Sequence, residues 1–158
     1  LEAEGLVVNH AHKGAVVHKP TAAELREIYE IRMLLEPHAA REAATRVTPE
    51  TLQTLEAIVD EMEKTTGVWP LVQLNQKLRR TFYECAGKPR LAEMIRGLMA
   101  RAEPYVTMLV GGQRHPFTHR EFHDLLDAIR QGNGDKAAEV TRAHLAMTVE
   151  NVMPMFER

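Results

Sequence analysis

The chain has a single cysteine, Cys85, so no internal disulfide can staple it, which suits a reducing cytoplasm. Cys85 lies in "FYECAG" on an apolar helix face, the setting of a small core residue rather than of a nucleophile. No apolar run approaches the ~18–20 residues that span a bilayer, and no signal-peptide pattern is present. A soluble, cytoplasmic protein with no membrane partner is therefore expected. Charge of one sign is also lacking: the formal net charge is −2, so any nucleic-acid contact must be local. There is no internal repeat and no low-complexity tract. No nucleophile–base–orienter order and no phosphate-binding loop is visible, which argues against an enzyme.

What is present is ordinary globular composition, 44% hydrophobic and 27% charged, over 158 residues, enough for one domain with a sizeable core. The opening, "LEAEGLVVNHAHKGAVVHKPT", carries two short apolar runs around a basic tip and reads as a β-hairpin turning at residues 9–13. After it everything reads as helix. Thr21 with Glu24 forms a capping box ahead of a long helix, which Pro37 is expected to kink. Thr48-Pro49 is a cap followed by a first-turn proline. Further helices are expected over about 70–86, 89–103, 118–131 and 134–153, with a break at Pro104 and a turn at "GNGD". The expected fold is an all-α antiparallel bundle of six or seven helices behind a short hairpin.

Polar residues on apolar helix faces are the informative feature. Arg32 falls inside the stripe of Leu25, Ile28, Leu35 and Ala39. In the third helix, Leu71, Leu74, Leu78 and Phe82 set the inward direction, with Asn75 about 40° and Arg79 about 80° from it. His144 lies in the stripe of Ala137, Val140, Met147 and Asn151. Each must find a partner, because burial without one costs several kcal/mol. Two readings follow. Either the groups satisfy one another, Arg32 with Glu36 and His144 with a carbonyl, or they converge on a small-molecule pocket between helices.

Four ordered segments carry a resemblance: "LEAEGLV…KGAVV" with "EIYEIRMLLEPHAAREAA", "LNQKLRRTFYECAGKPRLAEMI" and "EFHDLLDAIRQGNGDKAAEVTRAHL". They resemble the GntR superfamily of bacterial transcription regulators, in its FadR-like branch, whose effector domain is called FCD. The resemblance implies that residues 1–19 are the C-terminal wing of a winged helix-turn-helix, whose recognition helix is not among these residues. It implies that residues 20–158 are a helical effector-binding and dimerising domain. His10, His12, Lys13 and Gly14 would then touch DNA from the wing tip, DNA being bound by the full-length protein as a homodimer.

Many members of that family hold a divalent metal through an Asp, a His one turn later and two further His, and the metal anchors a small acid. Here those positions hold Asn75, Arg79, Phe122 and His144. His123 is a tempting substitute, but the inward stripe of Leu125, Leu126 and Ile129 includes Phe122 and turns His123 away. His119 and His123, at an i,i+4 spacing, lack a third ligand. An amide, a guanidinium and a phenyl ring do not make a metal site, so no metal cofactor is expected. Arg79 is expected instead to anchor a small carboxylate-type effector directly. Arg32, Asn75 and His144 would help it, Phe122 would form a wall, and Arg101 and Tyr105 are further candidates. The alternative is a module whose pocket is filled and which only dimerises.

Overall fold

A computed structural model of the chain describes residues 7–10, 14–17, 21–110 and 119–156. Two four-residue strands, β1 (Val7–His10) and β2 (Gly14–Val17), pair antiparallel with Val7 opposite Val17 and His10 opposite Gly14. Every other described element is helical: α1 (Ala22–Ala44), α2 (Pro49–Lys64), α3 (Val68–Glu84), α4 (Pro89–Val110), α5 (His119–Arg130) and α6 (Gly134–Val152). A 3₁₀ turn, Met153–Met155, follows α6.

The helix starts follow from their caps. Thr21 Oγ1 accepts from the Glu24 amide at 3.2 Å while Glu24 Oε2 accepts from the Thr21 amide at 2.7 Å, closing the capping box. Thr48 Oγ1 accepts from the Thr51 amide at 3.2 Å, and Pro49 fills the first position of α2. In the "GNGD" turn, Gly132 takes the left-handed φ of +60° that ends α5, and Asn133 Oδ1 caps α6 by accepting from the Lys136 amide at 3.0 Å.

Pro104 does not end its helix as the sequence suggests. α1 runs through Pro37, and α4 continues through Pro104 to Val110 instead of ending at residue 103. A proline deletes one backbone hydrogen bond and costs about 3 kcal/mol inside a helix. In α1 the buried residues on both sides, Glu36 before and Ala39 and Ala40 after, fix the flanking turns against the bundle. In α4 the flanking turns of a 22-residue helix hold the segment helical across the missing bond.

α1 and α6 lie antiparallel and close. Arg41 near the end of α1 pairs with Asp135 at the start of α6, while Leu25 and Val152 share a core at the opposite ends. Small side chains permit the approach: Ala39, Ala40, Ala43, Ala137 and Ala138 are all buried. At Gly134 a Cβ would lie 2.5 Å from the Arg41 carbonyl oxygen. Two apolar cores result. The larger draws on Leu55, Ile58, Phe82, Ile95, Phe122, Leu125 and Ala137, the smaller on Leu25, Tyr29, Ala102, Leu145 and Val152. Along α1 and α6 the polar residues Arg32, Glu36, Thr141 and His144 fall between the residues of these cores, so a polar layer separates two apolar ones.

Candidate functional site

The polar layer is a continuous hydrogen-bonded chain between α1 and α3. Arg32 Nε donates to Glu36 Oε1 at 2.5 Å, one turn on. Tyr83 Oη donates to the other oxygen, Glu36 Oε2, at 2.8 Å, and receives a hydrogen bond from Arg79 Nη1 at 3.1 Å. Arg79 Nε donates to Asn75 Oδ1 at 3.1 Å. The Arg32 guanidinium also stacks 4.6 Å from the centre of the Tyr29 ring, a cation–π contact. Glu36 is fully shielded from water, and Arg32, Asn75, Arg79 and Tyr83 are buried.

Two fixed cations thus share one carboxylate within this chain. Burial opposes the charge on Arg32, but Glu36, with Tyr29 beside it, outweighs burial and holds the guanidinium above its already high range. Burial, then the Glu36 carboxylate, pushes the Tyr83 hydroxyl upward, so it stays protonated and donates to Glu36. Desolvating each ion costs several kcal/mol, offset only where hydrogen bonds meet the charge.

His144 on α6 faces the same layer. Its Nδ1 lies 3.5 Å from Glu121 Oε2, and its carbonyl accepts from Thr148 Oγ1 at 2.9 Å. Burial first, then the positive charges of Arg79 and Arg32, hold its pKa well below the usual histidine value, so the imidazole is neutral at physiological pH. Between α1, α3, α4 and α6 lies a cleft of about 30 Å³ bordered by Tyr29, Arg32, Asn75, Glu103, His144 and Thr148. That is room for a water or two, at the ~10–15 Å³ each requires.

The expected residues therefore separate. Arg32, Asn75 and His144 border the cleft, and Arg79 is tied to it through Asn75. Phe122 is buried in the larger apolar core and does not border the cleft, while His123 is exposed and bonded to Glu63 at 2.6 Å. Arg101 is exposed, because about 100° per residue turns it away from Ala102 and Glu103, which do face the cleft. Tyr105 falls within α4, but its side chain lies outside the described residues, as do His12 and Lys13 and the side chain of His10. For Gly14 the structure gives its pairing with His10.

The inward face of α6 is also rotated from the expected one. Thr141, His144, Thr148 and Val152 are buried, and Asn151 is exposed. Sequence reasoning missed Tyr29, Tyr83, Glu103 and Thr148. Tyr83 was within reach, since it stands four residues beyond Arg79 and eight beyond Asn75 on one helix face.

Residues 27–147 match the model of the FCD domain family. No curated protein matches the sequence. Among solved structures, the chain is similar to a GntR-family transcriptional regulator from Pseudomonas syringae pv. tomato str. DC3000, at 21% identity and a TM-score of 0.78. That match covers 99% of this chain and 67% of that one. It is similar to E. coli McbR/YncC at 21% identity and a TM-score of 0.84, over 99% of this chain and 79% of that one. Streptococcus agalactiae GntR matches at 16% identity with a TM-score of 0.70, over 94% of this chain and 76% of that one. At these identities the likeness concerns the fold. With residues 27–147 matched to the family model, the chain belongs to the FCD domain family, and its fold is the one found in GntR-family transcription regulators.

Proposed function

We propose that this chain is the effector-sensing part of a dimeric, DNA-binding transcription regulator rather than an enzyme. The cleft beside Arg32 and Asn75 takes the carboxylate of a small metabolite acid, with Arg79 as its anchor. One observation carries the reading: in the buried chain Arg32–Glu36–Tyr83–Arg79–Asn75, two guanidinium groups share a single carboxylate. A second carboxylate delivered by a ligand would balance that charge, and a guanidinium fork offers it two parallel donors. His144, neutral and aimed at the same layer, would fix the ligand's orientation.

The donor set does not fit a divalent metal. Asn75 Oδ1 already accepts from Arg79, Phe122 has no donor atom, and the Arg79 charge opposes a cation. Among the described residues no group of three His, Cys, Asp or Glu side chains is placed to hold one. In this reading the fixed charge of Arg79 stands in for the metal.

The signal would leave through α1. Arg32 and Glu36 lie on that helix, and its cap, Thr21, stands close in sequence to the end of β2 at Val17. If β1 and β2 are the wing of a DNA-binding head, with His10, His12, Lys13 and Gly14 near phosphates, a shift of α1 reaches that head with little slack. Coupling of this kind amounts to about 1–3 kcal/mol. No described helix is long and apolar enough to cross a membrane, in keeping with cytoplasmic action.

A second reading has support in the closed Arg32–Glu36 pair and the small cleft. Glu36 then occupies permanently the place of a ligand carboxylate, and the domain only dimerises. Calorimetry with a series of mono-, di- and tricarboxylic acids tests the choice. Binding to the wild type that weakens about tenfold or more in Arg79→Ala supports sensing, as loss of a charged hydrogen bond requires. Equal affinity in Arg79→Ala rules out the anchor.

A further inference from the structure

A second and larger space lies just outside the cleft. Between α3 and α4 runs a groove of about 160 Å³, bordered by Gln76, Arg80 and Tyr83 from one helix and Ile95, Arg96 and Met99 from the other. Ala92 and Ala100, facing α3 across it, leave the gap because their side chains are short. Gln76 and Met99 border both spaces, so these two side chains are the partition between the groove and the buried cleft.

The partition is made of movable parts. Met99 is buried and Gln76 half-buried, and both are unbranched side chains with three rotatable bonds. The neighbouring walls, Val72, Tyr83 and Ile95, are branched or aromatic and buried, so they resist displacement. Positive groups stand on both sides of this boundary, with Glu103 the acidic residue bordering the cleft. Consecutive residues Arg79 and Arg80 straddle the boundary, Arg79 buried in the polar layer and Arg80 exposed in the groove, with Arg96 exposed opposite. Glu84 is the acidic residue on the groove wall.

We propose that the α3–α4 groove is the vestibule of the effector site, and that Met99 and Gln76 are its gate. A small anion is drawn in by Arg80 and Arg96 and passes the displaced Met99 side chain to reach Asn75 and Arg79. The inference rests on the effector-site reading and adds to it the route by which the anion enters.

The test reads access and not affinity. In a Cys85→Ser background, Asn75→Cys places a thiol on the cleft, and Thr148→Cys is the second position should the first not fold. Labelling rates are measured with an anionic methanethiosulfonate (ethylsulfonate) and its cationic trimethylammonium counterpart. Met99→Trp is expected to slow labelling, and Met99→Ala to speed it, each by about tenfold, as a change in the opening equilibrium. The double variant Arg80→Gln/Arg96→Gln is expected to lower the anionic-to-cationic rate ratio about tenfold, as loss of electrostatic focusing. Rates within about twofold across the Met99 variants, or an unchanged charge ratio, overturn the gate. Such a result leaves the calorimetric result for Arg79 standing, and loss of the Arg79 effect leaves the access result standing.

Discussion

Glu36→Gln changes one charge at the centre of the bundle and almost nothing of the shape. The side chain is fully buried and accepts from Arg32 at 2.5 Å and from Tyr83 at 2.8 Å. With it neutral, the guanidinium groups of Arg32 and Arg79 lose the one carboxylate of their chain. Breaking a buried ion pair from one side costs about 3–5 kcal/mol. For a chain of this length each kcal/mol is about 2–4 °C of Tm, so a fall of about 10 °C is expected. Urea unfolding followed by circular dichroism, at fixed protomer concentration, gives the free energy directly. The double variant Arg32→Met/Glu36→Leu should lose less than the two single changes together, because the desolvation cost leaves with the pair. A Glu36→Gln change of under about 1 kcal/mol, or strict additivity in the cycle, would refute the view that this charge balance holds the layer together. The same variant separates the two functional readings. In the sensing reading the wild type already binds small acids and Glu36→Gln, with more unbalanced positive charge, binds them more tightly; in a module that only dimerises the wild type binds none, and any binding appears first in Glu36→Gln.

Among the described residues Thr141 Oγ1 is buried with no hydrogen-bond partner, so Thr141→Val, which keeps the shape, should stabilise the fold by about 1 kcal/mol in urea titrations. Gly134→Ala should destabilise by about 1–3 kcal/mol, since the new Cβ meets the backbone oxygen of Arg41 at 2.5 Å and α1 and α6 must separate. His144 gives a pH dependence of definite sign. Its folded pKa lies well below the unfolded value of about 6.5, so the unfolded chain binds the proton first and stability falls as pH drops below that value. The slope from this one group is at most about 1.4 kcal/mol per pH unit, and His144→Asn should flatten the fall in Tm between pH 7 and 5.

Much of this is legible in the residues. Caps and turns announce themselves through local chemistry, Thr21 with Glu24, Thr48 with Pro49, and the "GNGD" turn, because each acts within four residues. Spacing of one turn also announces Arg32–Glu36 and Asn75–Arg79, and the helical wheel turns Phe122 inward and His123 out. What escapes depends on contacts between helices. Tyr83 and Glu36 are 47 residues apart, and a wheel gives the direction of a side chain without its partner across the interface. The face of α6 is hard to place from hydropathy because Thr141 and Thr148 are polar yet buried, in a helix whose close approach to α1 matters more. Pro104 suggests a break because a missing hydrogen bond is a local cost, whereas the continuity of α4 is decided along the whole helix.

Native mass spectrometry of the wild type and Arg79→Met, each incubated with the tightest-binding acid found by calorimetry, bears most directly on the role of Arg79. The expected spectrum shows one acid per wild-type chain with no metal, and an unshifted Arg79→Met chain. A divalent metal on each wild-type chain, or equal occupancy of the acid on both proteins, would contradict an arginine-anchored site.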